Sequence, residues 1–191
     1  MDNTTNSDFL NKITELQKQY YSNNHKNTFF KASQKTECAN TISSQISIDE
    51  LLCNTFYIIP NTNKVFIDYL VFKTFINSYN YRHAIEYLIQ LIQRCVASFE
   101  KYEVHVNLST FSVSAAHRYK EIIHAYNNYC LSSDTQFALA LSRMYIYNTP
   151  NVMENVIQIF QPFIEPTIKS KFQLISKSES PECLKTLFTQ N

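Results

Sequence analysis

The side chains able to do chemistry here are histidine, cysteine, serine and the carboxylates, and their spacing limits what they could do together. The histidines are His25, His83, His105, His117 and His124. None forms a His-x-x-x-His or His-Glu-x-x-His pair, the spacing that sets two metal ligands on one helix face. His117 and His124 stand seven apart and read as polar-edge residues of a shared face. His105 lies between Val104 and Val106 and reads as a hydrogen-bonded sheet histidine rather than a general base. The cysteines Cys38, Cys53, Cys95, Cys130 and Cys183 are odd in number and widely spaced, without a Cys-x-x-Cys. They predict neither a zinc knuckle nor a disulfide framework, but buried free thiols. No serine lies in a nucleophile context, and Asp49-Glu50 reads as a helix start rather than an acid–base couple. A Cys–His pair meeting only in space stays open. The expectation is a protein that is not an enzyme and needs no metal or other cofactor.

Glycine narrows the chemistry further. The 191 residues contain none, where a share of about 7% would give roughly 13. Phosphate-cradling loops and dinucleotide fingerprints need glycines for close backbone approach, and the nucleophile elbow and kinase loop need them too. Positions with positive φ must use other residues, of which Asn is the most tolerant. Asn is abundant, as in Asn23-Asn24, Asn61-Thr62-Asn63 and Asn127-Asn128. A net charge of +1 with 17% charged residues leaves no basic stripe, so no nucleic-acid partner is expected. The polar start, Met1 to Ser7, lacks an apolar signal core, and no stretch reaches the ~18 apolar residues of a membrane span. A cytoplasmic location is the expectation.

The elements that would position these residues follow from periodicity. Phe9, Ile13, Leu16 and Tyr20 form one stripe of a short N-terminal helix over 8–21. Ser22 to Gln45 is mostly polar and reads as a linker. Ser47-x-x-Glu50 resembles a capping box. Thr55–Ile59 and Val65–Phe72 read as strands around the turn Pro60–Asn63, and Tyr81–Phe99 as a long helix. Glu103–Leu108 is a buried strand, followed by a helix from Ser112 or Ser114 to about Tyr129. A polar loop, Cys130 to Gln136, precedes a helical turn at Phe137–Leu141. Met144–Tyr147 and Phe172–Ile175 read as strands on either side of a helix, Asn151–Phe163. Pro181 opens a last short helix. The alternation predicts an α/β fold with a mostly parallel sheet flanked by helices and covered on both faces. The division expected is an N-terminal helix (1–22), a polar linker (23–46) and one domain (47–191).

Asn151–Phe163 stands out, because Val152, Met153, Val156, Ile157, Ile159, Phe160 and Phe163 cover well over half of it. It reads either as a core helix or as one that lines an apolar cavity or touches a membrane.

The second half also carries motifs of a known family. Met144-Tyr-Ile-Tyr-Asn-Thr-Pro150, then Ile157-Gln-Ile-Phe-Gln-Pro-Phe-Ile-Glu-Pro166 and Ser170-Lys-Phe172, resembles the CRAL-TRIO lipid-binding domain. Val104 to Ser114 resembles its strand ending in Asp-Leu-x-Gly. The order agrees over about residues 55–189. The resemblance implies an apolar pocket between sheet and helices, with Asn151–Phe163 as the mobile helix that gates it and meets the membrane. It implies non-catalytic binding or transfer of a hydrophobic small molecule or phospholipid. On that basis Val106, Tyr145, Tyr147, Ile157, Phe160 and Phe172 are expected near the ligand, and Lys171 near a head group. The chain departs from the family at Asn107, usually Asp, and at Thr110, usually Gly. The family's acidic–basic stretch before the Met144 strand is replaced by Cys130 to Gln136. Its compact length is similar to CRAL-TRIO-like domains of Rho-GTPase-activating scaffolds, which implies a second expectation, a protein-interaction scaffold for a partner such as a small GTPase.

Overall fold

A computed structural model of the chain describes residues 3–24, 31–132 and 137–189. Residues 25–30 of the expected linker and 133–136 of the expected polar loop lie outside the described residues, as do 1–2 and 190–191.

The chain opens with α1 (Asn3–Asn23) and α2 (Lys31–Gln45). The first runs longer than the 8–21 expected. The second corrects the reading of 31–45 as linker. Its apolar stripe is thin: Cys38, Ile42 and Ile46 recur every four residues in a polar sequence. All three are nonetheless buried with Phe9 and Ile13 of α1 in the main core. Packing against α4 supplies what the local pattern lacks. Next, α3 (Ile48–Thr55) starts at Ser47, whose Oγ accepts the Glu50 N–H at 3.2 Å, as the capping motif predicts.

The sheet is built from β1 (Phe56–Ile58), β2 (Lys64–Asp68), β3 (Tyr102–Asn107), β4 (Leu141–Thr149) and β5 (Phe172–Ser176). Its order is β1-β2-β3-β4-β5; β1 pairs antiparallel and the other pairs are parallel. The expected strand Val65–Phe72 ends early. Asp68 Oδ1 accepts the Leu70 N–H at 2.8 Å and starts α4 (Tyr69–Phe75). The long helix α5 (Tyr81–Phe99) follows. Between β3 and β4 lie α6 (Val113–Ser132) and α7 (Phe137–Ala140). Between β4 and β5 lie α8 (Met153–Phe160), a 3-10 turn (Gln161–Phe163) and α9 (Pro166–Lys169), where the sequence reads one helix over 151–163. Finally, α10 (Ser180–Thr189) closes the chain.

Sequential strand order with right-handed crossovers puts the crossover helices on one face of the sheet. That front face carries the large core: Phe56, Val65, Tyr102, Val104 and Leu141 pack with α1 to α6. Among the described residues the back face is covered by α10, whose Leu184, Leu187 and Phe188 join Phe66, Tyr145, Tyr147 and Ile175. Both faces are covered as expected, but unequally. A register shift where Tyr102 meets Leu141 and Glu103 meets Arg143 leaves Ser142 as an extra residue. Leu141 and Met144, three apart, thereby both join the front core. Without glycine, positive φ falls on Asn61, Glu100, Thr110 and Asn148. Two of these are the expected Asn. Thr110, where the resembled family has Gly, adopts φ 67°, a strained value for a β-branched residue.

Candidate functional site

Residues paired across parallel strands share a face, so the register sorts the site residues directly. One front row runs Val65, Val104, Met144, Phe172, and the next Ile67, Val106, Ile146, Leu174. Burial changes along each row. Val65 and Val104 are fully covered, Phe172 is half-buried, and Leu174 is 48% exposed. The apolar front surface therefore runs out from under its helices at β5, the sheet edge.

The crossover from β4 to this edge strand carries α8. Its one fully buried residue is Val156, 1% exposed, while Met153, Ile157, Ile159 and Phe160 are partly buried. The helix leans on α6 and on the 3-10 turn, with Phe163 against His124 at a ring separation of 4.9 Å. An apolar helix and an apolar edge strand, joined by this crossover, thus each leave part of their surface uncovered.

The crossover is pinned at both ends. At its start, Asn148 takes φ 54°. Its N–H donates to Ser180 Oγ at 2.6 Å, and its side-chain amide donates to Asn107 Oδ1 at 2.8 Å. The next residue, Thr149, donates its hydroxyl to Ile175 O at 2.7 Å. At its far end Lys171 Nζ donates to Ala138 O at 2.7 Å and to Leu141 O, tying the start of β5 to α7 and β4. Two of the three ammonium donors are thereby spent on backbone carbonyls.

The seven residues singled out from sequence do not form one cluster. Val106 and Phe172 lie on the front face, and Ile157 and Phe160 on α8. Tyr145 and Tyr147 alternate with Met144 and Ile146 and so lie on the back face. One cavity cannot be lined by both faces of a sheet, which separates the two tyrosines from a front pocket. Lys171 acts on the fold as a clamp.

The back face holds the group that sequence reasoning left as a sheet histidine. His105 is 3% exposed and stacks on Tyr145 and Tyr147, with ring separations of 4.8 and 5.9 Å. Its Nδ1 meets Tyr147 Oη at 2.8 Å, and its Nε2 lies 3.4 Å from Glu103 Oε2. The tautomer satisfying both contacts carries its proton on Nε2, so the tyrosine hydroxyl donates to Nδ1. Burial pushes the imidazole down to about 4, with a smaller push from Lys64, and burial also raises the Tyr147 phenol. The signal in the sequence was its place between two front-facing valines. Among the described residues no group of three or more His, Cys, Asp or Glu could hold a metal, and no helix is long and apolar enough to cross a membrane.

Fold and site define a class: an α/β domain wound in strand order, with an apolar helix on its last crossover that leans on α6. Residues 65–191 match the model of the CRAL/TRIO domain, and the chain belongs to that family. Domains of this family in general bind and transfer lipids. No curated protein matches the chain.

Proposed function

We propose that the protein binds a hydrophobic small molecule or phospholipid, without catalysis, between the α8 crossover and the β4–β5 end of the sheet. In this reading α8 is the gate and the part that meets a membrane surface. The observation that carries the reading is the mismatch on α8, a helix apolar over most of its circumference that buries only Val156. Leaving such a surface unpacked is unfavourable. An acyl chain laid against it recovers about 0.8 kcal/mol per buried CH₂ without any polar contact. Val106, Ile157, Phe160 and Phe172 are the residues assigned to that chain. Tyr145 and Tyr147 are left out of it, and a head-group role for Lys171 would have to coexist with its two carbonyl bonds.

The test is native mass spectrometry of the purified chain after incubation with vesicles of phosphatidylcholine and phosphatidylinositol, alongside transfer of a fluorescent phospholipid between vesicles. A one-to-one lipid adduct and protein-dependent transfer are expected. Repeated absence of both would sink the reading. A saturable complex with a small GTPase would then favour the scaffold alternative.

A further inference from the structure

The hinge of the α8 crossover and the buried histidine are linked through one residue, Tyr147. Tyr147, whose hydroxyl donates to His105 Nδ1 at 2.8 Å, immediately precedes Asn148. That residue turns with positive φ and is bonded to Ser180 and Asn107. The Tyr147 carbonyl also accepts the Leu108 N–H at 3.0 Å. Both the side chain and the backbone of Tyr147 therefore hold the strand end from which the crossover departs. Ser180 is fully buried and its hydroxyl also donates to Ser176 O at 2.7 Å. The first residue of the back-face helix thus takes part in fixing the hinge.

We propose that the His105–Tyr147 pair is an acid-sensitive catch on this hinge: protonation of the imidazole removes the acceptor for the Tyr147 hydroxyl and frees the α8 crossover to open. With both ring nitrogens protonated, Nδ1–H becomes a donor to the Tyr147 oxygen, and the phenolic hydrogen is left without its acceptor. The tyrosine must then turn its hydrogen elsewhere within a packed aromatic stack. The groups facing the imidazole are Lys64 from β2, Glu103 from its own strand, Tyr145 and Tyr147 from β4, and Cys183 of α10 beside Tyr147. Glu103 alone favours the charged ring, from 3.4 Å, whereas burial and Lys64 oppose it. A hydrated imidazole titrates at its ordinary value of 6.5 and the closed one at about 4. Protons therefore bind the open state preferentially between those values, and the closed state loses ground as pH falls from 6.5 toward 4. The consequence for a ligand, release in acid, rests on the lipid-binding reading above; the opening itself does not.

Hydrogen exchange of the α8 amides, Met153 to Phe160, in the full chain tests the catch at pH 7 and pH 5, after correction for intrinsic exchange. Protection is expected to fall about twentyfold at pH 5, while the α5 amides keep theirs. His105→Gln retains an acceptor for Tyr147 and should abolish the pH response. His124→Gln, at the ring touching Phe163, should leave the response intact. Tyr147→Phe keeps the ring and drops the hydroxyl, and should lower α8 protection several-fold already at pH 7. An unchanged α8 at pH 5, an equal loss in α5, a response that survives His105→Gln, or normal protection in Tyr147→Phe would each overturn the proposal. Release of a BODIPY-labelled fatty acid, followed in parallel, should quicken by a similar factor at pH 5. Failure of that probe to bind at either pH counts against the lipid reading and leaves the exchange result standing.

Discussion

Two crossovers of the same sheet can be compared directly. The one from β2 to β3 carries α5, which buries Ala84, Ile85, Ile89, Leu91, Ile92 and Cys95. The one from β4 to β5 carries α8, at least as apolar over its shorter length, which buries Val156 alone. The difference lies in the neighbours. Helix α5 crosses the middle of the sheet, between β1 and α6. Helix α8 belongs to the last crossover, which leads to the edge strand β5, and it leans on α6 and the 3-10 turn. Apolarity in a helix thus states a capacity to be buried, and position in the sheet decides how much of that capacity the protein itself uses.

The largest effect that could break this comparison is a matched pair of truncations. Ile92 of α5 is 1% exposed, and Ile92→Ala should cost about 3 kcal/mol, since lost transfer energy and an unfilled cavity add. Partly buried Ile159 of α8 loses less contact, and Ile159→Ala should cost under about 1 kcal/mol. Urea unfolding with a common m-value measures both. Equal losses would make α8 an ordinary core helix and remove the basis for its role as a gate.

Much of the contrast was legible before any coordinates. The apolar periodicity of Tyr81–Phe99 located α5, and the excess of apolar residues over Asn151–Phe163 marked α8 as unusual. The alternation of strands and helices gave the sheet type, and Ser47 marked the start of α3. What escaped depends on non-local geometry. The stripe Cys38, Ile42, Ile46 is too thin to announce a helix until α4 is beside it. Period two sets Tyr145 and Tyr147 apart from Met144 and Ile146, but it does not say which pair meets the helices. That choice followed from the shared handedness of the crossovers and from the extra residue at Ser142. The family resemblance sets Lys171 near a head group, whereas its reach to Ala138 and Leu141 is fixed by where β5 starts beside α7.

Lys171 gives the second test, at the far anchor of the less buried crossover. In Lys171→Met the stem remains and the ammonium goes, leaving the carbonyls of Ala138 and Leu141 to solvent or unpaired. A clamp predicts a loss of about 1–2 kcal/mol, as for hydrogen bonds to a half-exposed charged donor. Binding to anionic vesicles should change less than about threefold, within the ~1 kcal/mol that one basic residue contributes near such a surface. A head-group role predicts the opposite pattern, unchanged unfolding and lost vesicle binding. Denaturant midpoints and vesicle sedimentation together distinguish them.

The smallest effect compares the residues with positive φ at one end of each crossover. Glu100 caps α5 at φ 63°, exposed, with its N–H donating to Val96 O at 2.8 Å. The side chain makes no contribution to that bond, and a Cβ in the left-handed region is unfavourable by about 1 kcal/mol. Glu100→Gly keeps the bond and removes the strain, although glycine also gives the unfolded chain more freedom to lose. The net expectation is a gain of about 0.5 kcal/mol. Asn148, at φ 54°, is a residue that tolerates this region, so there is less strain to relieve. Its side chain also donates to Asn107 Oδ1 at 2.8 Å, and Asn148→Gly discards that bond, for an expected loss of about 1 kcal/mol. One substitution, glycine into a glycine-free chain, should therefore act with opposite signs on the two crossovers. If both variants were stabilised, the positive φ at Asn148 would be simple strain rather than a hinge held by its side chain.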